Sequence, residues 1–188
     1  MGLADILFGR KKLKGPSKER LFAISTARIT LETDLGLKPS GSAAVVFKSQ
    51  SSGEFVRSEN ELTELLEVTS AQSGSKIDRK TDDFGFDWLI VHDDQLEDLV
   101  TTVHTVAAEL TAQGFGSQLL AAAFRFSGGE HPVYWIYGFK RGAFWPFVPI
   151  GDQKRDNATE LELKAKLEGE LPVEQDLTRW LGLFDAPI

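Results

Sequence analysis

The stretch Tyr134-Trp-Ile-Tyr-Gly-Phe-Lys-Arg-Gly-Ala-Phe-Trp-Pro-Phe-Val-Pro149 places seven aromatic residues among sixteen. Aromatic side chains bury large areas and favour pleated, half-buried backbone. The block therefore predicts two strands, Val133 to Phe139 and Ala143 to Val148, turned at Lys140-Arg141-Gly142. Pro146 and Pro149 suit an edge or a strand end, because proline donates nothing to a ladder. Upstream, Leu119 to Phe126 reads as a third strand of the same meander, with Ser127-Gly-Gly-Glu130 as its hairpin turn.

The remaining periodicities surround this meander with helices and further strands. Ser17 is placed to cap a helix carrying Leu21, Phe22 and Ile24, and a second helical pattern covers Ile29 to Leu35, stopped by Gly36. Pro39-Ser-Gly41 predicts a turn before a buried strand, Ala43 to Phe47. Ser58-Glu-Asn-Glu61 has the capping-box spacing for a helix to about Val68, broken by Ser70 to Ser75. Two strands, Ile77 to Thr81 and Phe86 to His92, flank the turn-rich Asp82 to Gly85. The strongest helix runs from Asp94 to Gln113, with Leu96, Leu99, Val100, Val103, Val106, Ala107 and Leu110 on one stripe and Gly114 behind it. Asp156 or Asn157 caps a helix to Leu167, and Leu177 to Phe184 predicts a short closing helix. Hairpin-joined strands with helices beside them predict an α+β fold: a mostly antiparallel or mixed sheet, helices packed on it, and a C-terminal meander followed by helices.

Composition limits the function. The 188 residues carry a formal charge of −7, which argues against nucleic acid as a partner. There is no cysteine, so disulfides, thiolate catalysis and zinc–thiolate sites are excluded. No apolar run approaches the roughly 20 residues that span a bilayer, and Leu3 to Phe8 is too short and wrongly flanked for a signal peptide. A soluble, cytoplasmic protein is expected.

Charge is unevenly placed: residues 1–40 hold eight Lys and Arg against four Asp and Glu. We divide the chain into residues 1–16, a short amphipathic helix and basic linker, and residues 17–188, a single α+β domain. In the leader, Leu3, Ile6 and Leu7 fall at i, i+3 and i+4, Phe8 follows, and Arg10, Lys11, Lys12 and Lys14 come next. This pattern fits contact with an anionic membrane or a partner. The plainer reading is that the segment docks on its own domain, since one or two helical turns are marginal alone.

Catalytic motifs are lacking. His92, His104 and His131 have no metal-site spacing, and no HExxH, GxxxxGK[ST] or GxSxG occurs. Asp82-Asp-Phe-Gly-Phe-Asp87 does not supply a calcium loop, and Asp93-Asp94 reads as a helix cap. Gly114-Phe-Gly116 follows a helix, not the strand that a dinucleotide site requires. No metal or cofactor is expected. Lys140 and Arg141, set at a turn beside Trp145, are a possible binding surface for an acidic partner or a phosphate. The plainer reading is a solvated turn.

Several segments together carry a family resemblance: Met1-Gly-Leu-Ala-Asp-Ile-Leu-Phe-Gly-Arg10, Ile29 to Gly41, Phe84-Gly-Phe-Asp-Trp88 and Lys140-Arg-Gly-Ala-Phe-Trp-Pro-Phe147. Arg155 to Leu163, Pro172 and Asp176-Leu-Thr-Arg-Trp180 complete the set. In this order they resemble the PspA-associated protein family PspAB of actinobacteria and halophilic archaea, over nearly the whole chain. The resemblance implies a non-enzymatic accessory protein of the phage-shock type response to envelope stress, in which PspA acts at the inner face of the cytoplasmic membrane. It implies protein binding, with PspA or another envelope-stress protein as partner, and neither cofactor nor catalytic residues. Two other readings stay open: a small-molecule or nucleotide-phosphate binding enzyme with a pocket near Lys140 to Trp145, and a chaperone-like domain that receives a peptide on its sheet.

Overall fold

The computed structural model describes residues 18–48, Glu64 and 67–188. Helices α1 (Lys18–Thr26) and α2 (Arg28–Thr33) lead into strand β1 (Lys38–Lys48). A helical segment α3 (67–73) precedes β2 (Lys76–Thr81) and β3 (Phe86–His92). Helix α4 (Leu96–Ala112) then leads to the meander β4 (Leu119–Ser127), β5 (Val133–Gly138) and β6 (Ala143–Phe147). A small hairpin, β7 (Pro149–Gly151) and β8 (Lys154–Arg155), helix α5 (Asn157–Leu167) and a 3-10 turn (Leu177–Arg179) follow. The fold is α+β, as the periodicities predict.

Six strands form one sheet in the order β2-β3-β1-β4-β5-β6, antiparallel at every pairing. Along β1 the side chains divide between two covered faces. Ala43, Val45 and Phe47 face the helical layer, together with Leu89 and Val91 of β3. There α4 buries Leu96, Leu99, Val100, Val103, Val106, Ala107 and Leu110, which is the stripe its sequence shows. Burying such side chains stabilises by about 1.5–3 kcal/mol each. Leu21 and Ile24 of α1 join this core, and Phe22 stacks on His104 with centroids 5.3 Å apart. Ala44, Val46, Trp88 and Ile90 point to the second face, where Leu183, Ala186 and Ile188 of the C-terminal tail pack. Trp145 Nε1 donates to Leu181 O at 2.9 Å, Phe184 meets Phe147 edge-on, and Tyr134 OH donates to Ile188 O at 3.2 Å. The tail is thus a strap over the sheet.

Several expectations need correction. Pro39-Ser-Gly41 makes no turn: it lies inside β1, where Gly41 takes φ +76° and the register shifts between Pro39 and Ala43. A bulge and a turn share the same glycine chemistry, and only the pairing partner separates them. The helix before β2 continues through residue 73, past the predicted break at Ser70, and Gly74 at φ +76° follows it. Its predicted start at Ser58 lies outside the described residues. Helix α4 begins after Gln95, not Asp94; Asp93 instead accepts from Gln95 N in a side-chain turn. Asp156, by contrast, caps α5 as expected, accepting from Ala158 N and Thr159 N. Leu161 of that helix is 46% exposed, and Glu160 takes the buried place beside it. The predicted helix Leu177 to Phe184 is one 3-10 turn followed by the strap.

The strap begins at a buried ion pair. Arg155 Nε donates to both Glu160 oxygens at 2.9 and 2.8 Å, and Glu160 Oε1 also accepts from Val148 N at 2.8 Å. Arg155 Nη1 donates to Trp180 O at 2.7 Å, and its guanidinium lies 5.2 Å from the Phe147 ring centre. Removing one partner of a buried pair strands the other charge, at about 3–5 kcal/mol. Glu160→Ala is expected to lower unfolding stability by that amount in urea titration. Arg155→Met combined with Glu160→Leu should recover most of it, because two apolar side chains leave no stranded charge. An additive loss in the double variant would disprove the pairing as the cause.

Candidate functional site

On the second face the strap leaves a hollow of about 580 Å³ uncovered. Its floor follows a single row of paired residues across four strands: Trp88, Val46, Ala121 and Gly138. Three of the four are small or medium-sized, so the sheet is thin along that row while Trp88 stands up at one end. At the other side Trp145 leans over Gly138; a Cβ on Gly138 would lie 2.9 Å from Trp145 Cζ3. Glycine there lets the indole lie close to the strand. Two tryptophans therefore bound a floor of small residues.

The walls come from two loops. One is the β2–β3 turn, where Gly85 at φ +77° leaves Phe84 79% exposed on the rim. Asp82 holds this turn: Oδ1 accepts from Phe84 N and Phe86 N, and Oδ2 from Trp88 Nε1, all at 2.9 Å. Partial burial works against its ionisation, but these hydrogen bonds outweigh burial and keep the carboxyl below the usual aspartate range. The opposite wall is the strap, residues 181–185. Gly182 is needed here, since a Cβ would press on Phe184 and Phe147.

Three cations line the rim: Lys140, Arg141 and Arg179. Arg141 pairs with Glu174 at 3.5 Å and Arg179 with Asp176 at 2.8 Å. Lys140 is exposed and makes no ion pair with the described residues. The expected trio Lys140, Arg141 and Trp145 is thus brought together on one cavity. The leader residues Leu3, Ile6, Leu7, Phe8, Arg10, Lys11, Lys12 and Lys14 lie outside the described residues. Trp88, Phe84, Arg179 and the strap are wall residues that sequence reading missed. A signal existed: Phe86, Trp88 and Ile90 alternate with Leu89 and Val91, so β3 is apolar on both faces and needs a second cover.

The acidic and imidazole groups weighed in the sequence have separate local roles. Asp87 is buried and accepts from Arg79 and Thr81. Asp93 Oδ2 accepts from Ser75 Oγ. His92 lies 3.2 Å from Asp78, and His131 lies 3.9 Å from Glu130. Among the described residues no three His, Cys, Asp or Glu side chains are grouped to hold a metal ion. No helix among them is long and apolar enough to cross a membrane.

Two outcomes test the hollow's construction. Gly138→Ala should push the Trp145 indole off the strand and cost about 1–3 kcal/mol, as overpacking does, with a shifted tryptophan emission. An unchanged spectrum and midpoint would contradict the close approach. Because Asp82 is depressed, its stabilisation is present above the unfolded value of about 3.9 and is lost as pH falls through the lower folded value. Stability measured from pH 5 downward should therefore decline less steeply in Asp82→Asn than in the parent.

No curated protein and no solved structure matches. The family model described as PspAB, PspA associated protein B, covers residues 1–188. A match of that extent takes in the meander, the strap, the walls of the hollow and the leader alike, and on it the chain belongs to the PspAB family.

Proposed function

We propose that the protein is a non-enzymatic accessory protein of the phage-shock type response to envelope stress, and that it works in the cytoplasm by binding PspA. The observation that carries this reading is the family match over the full length. The hollow supports it chemically. Protein interfaces are enriched in Trp and Arg, and binding energy concentrates where such residues surround a pocket. Trp88, Trp145, Arg141 and Arg179 provide that composition, and the exposed Phe84 extends the apolar area beyond the cavity mouth. The leader adds a second contact. Leu3, Ile6, Leu7 and Phe8 enter the interfacial layer while Arg10, Lys11, Lys12 and Lys14 meet anionic lipid, each cation contributing about 1 kcal/mol.

A small-molecule reading has one observation in its favour: the hollow's volume of about 580 Å³ falls within the range of ligand pockets. A thermal-shift screen over nucleotides and phosphorylated metabolites separates the two, because a ligand of the native state raises the midpoint.

Binding of the purified full-length chain to PspA, measured by calorimetry at low salt, is the direct test. Phe84→Ala and Lys140→Glu should each weaken it about tenfold, which is about 1.4 kcal/mol. No binding by the parent chain defeats the reading. For the leader, changing Arg10, Lys11, Lys12 and Lys14 to Gln together should abolish co-sedimentation with anionic vesicles. A parent chain that already stays in the supernatant at low salt excludes the membrane contact.

A further inference from the structure

We propose that the hollow binds a single-chain amphiphile with an anionic end, its hydrocarbon laid along the floor between Trp88 and Trp145 and its head at Lys140. The proposal deepens the ligand reading of the hollow given above and rests on it, and it needs nothing from PspA. Three observations lead there. The first is what the floor leaves unpaired. Both indole N–H groups are committed inside the protein, Trp88 Nε1 to Asp82 and Trp145 Nε1 to Leu181 O. Strands β3, β1, β4 and β5 each have a neighbour on both sides, so their ladders use the backbone groups. A base or a sugar would leave its polar groups unmatched on such a floor, whereas a hydrocarbon loses nothing there.

Shape is the second. The row from Trp88 through Val46 and Ala121 to Gly138 crosses three strand-to-strand spacings, about 14 Å, with an indole toward each end. The hollow is therefore a trough, which an extended chain fills along its length. Its strap wall is held under backbone strain. Among the described residues the non-glycine positions with positive φ are Asp152, Gln153 and Asp185, and the last two line the hollow. Gln153 Nε2 donates to Asp185 Oδ2 at 2.9 Å, an exposed bond that pins the strap to the β7–β8 hairpin. Backbone held in such conformations gathers at ligand clamps.

Charge is the third. The chain carries a formal charge of −7, yet Lys140, Arg141 and Arg179 gather on this rim. Arg141 and Arg179 are engaged by Glu174 and Asp176, which among the described residues leaves the exposed Lys140 ammonium for an anion from outside. The two acids on the walls are occupied: Asp82 accepts from Phe84 N, Phe86 N and Trp88 Nε1, and Asp185 from Gln153. Asp82 also belongs to the Trp88 end, on the β2–β3 turn, while Lys140 follows Gly138 at the other. One end of the trough thus favours an anion and the rest favours hydrocarbon. An ammonium is a compact point charge, so it suits a carboxylate or a phosphodiester head alike.

Dibromostearate, kept below the concentration at which it forms micelles, should quench the tryptophan emission of the full-length protein to a one-to-one saturation, because bromine quenches indole on contact. Dibromostearyl alcohol has the same chain and no charge and should bind about tenfold more weakly, and Lys140→Glu should weaken the acid by a similar factor. Ala121→Leu, which fills the floor, should abolish the quenching. Lys140 is exposed, so its variant stays folded whatever Ala121→Leu does to the urea midpoint. Removing two methylenes from a competing fatty acid should weaken its competition roughly tenfold. Displacement of the probe by laurate or by a single-chain phosphatidylglycerol tells which head, carboxylate or phosphodiester, Lys140 takes. No saturable quenching in the parent overturns the proposal. So does quenching that is equal for acid and alcohol, or that survives both Lys140→Glu and Ala121→Leu, since the amphiphile would then be adsorbed elsewhere. PspA is absent from every arm, so this binding and that of PspA can each fail alone.

Discussion

The guanidinium of Arg155 is the constraint on which the second face depends. Its donors reach Glu160 on α5, Trp180 O at the root of the strap and Pro146 O on the edge strand, while its plane lies over Phe147. Lysine could not replace it, because only a planar fork meets three acceptors in fixed directions. The hairpin β7–β8 exists to aim it. Asp152 and Gln153 both take positive φ, 49° and 55°, which turns the chain within two residues and returns Arg155 beneath β6.

What the ion pair supplies is geometry more than free energy. Burial pushes the Glu160 carboxyl up, and Arg155 and Val148 N–H only partly offset it. A raised carboxyl favours the folded chain fully below its unfolded value, about 4.3, and that contribution is lost as pH rises through the folded one. Buried pairs often add little net stability, because desolvation offsets the attraction. The pair sets the direction in which residue 181 leaves the body. Since residues 181–185 are one wall of the hollow, a residue outside the cavity helps to place that wall, beside the Trp145–Leu181 and Phe147–Phe184 contacts.

The sequence made the sheet and α4 legible because β3 to β6 are short apolar runs bounded by turn residues, and because Leu96 to Leu110 form a helical stripe. It was less clear wherever one residue type serves two geometries. Gly41 reads equally as a turn or a bulge, and only the pairing of β1 with β4 decides. Leu177 to Phe184 has helical spacing, but Leu181 O accepts from Trp145 Nε1 and Phe184 packs on Phe147 in place of a continued helix. The aromatic block announced a core and gave Lys140, Arg141 and Trp145 a common neighbourhood. It did not show the hollow, whose floor is made by small residues on three different strands. Val46, Ala121 and Gly138 are ordinary singly and become a cavity floor only in register.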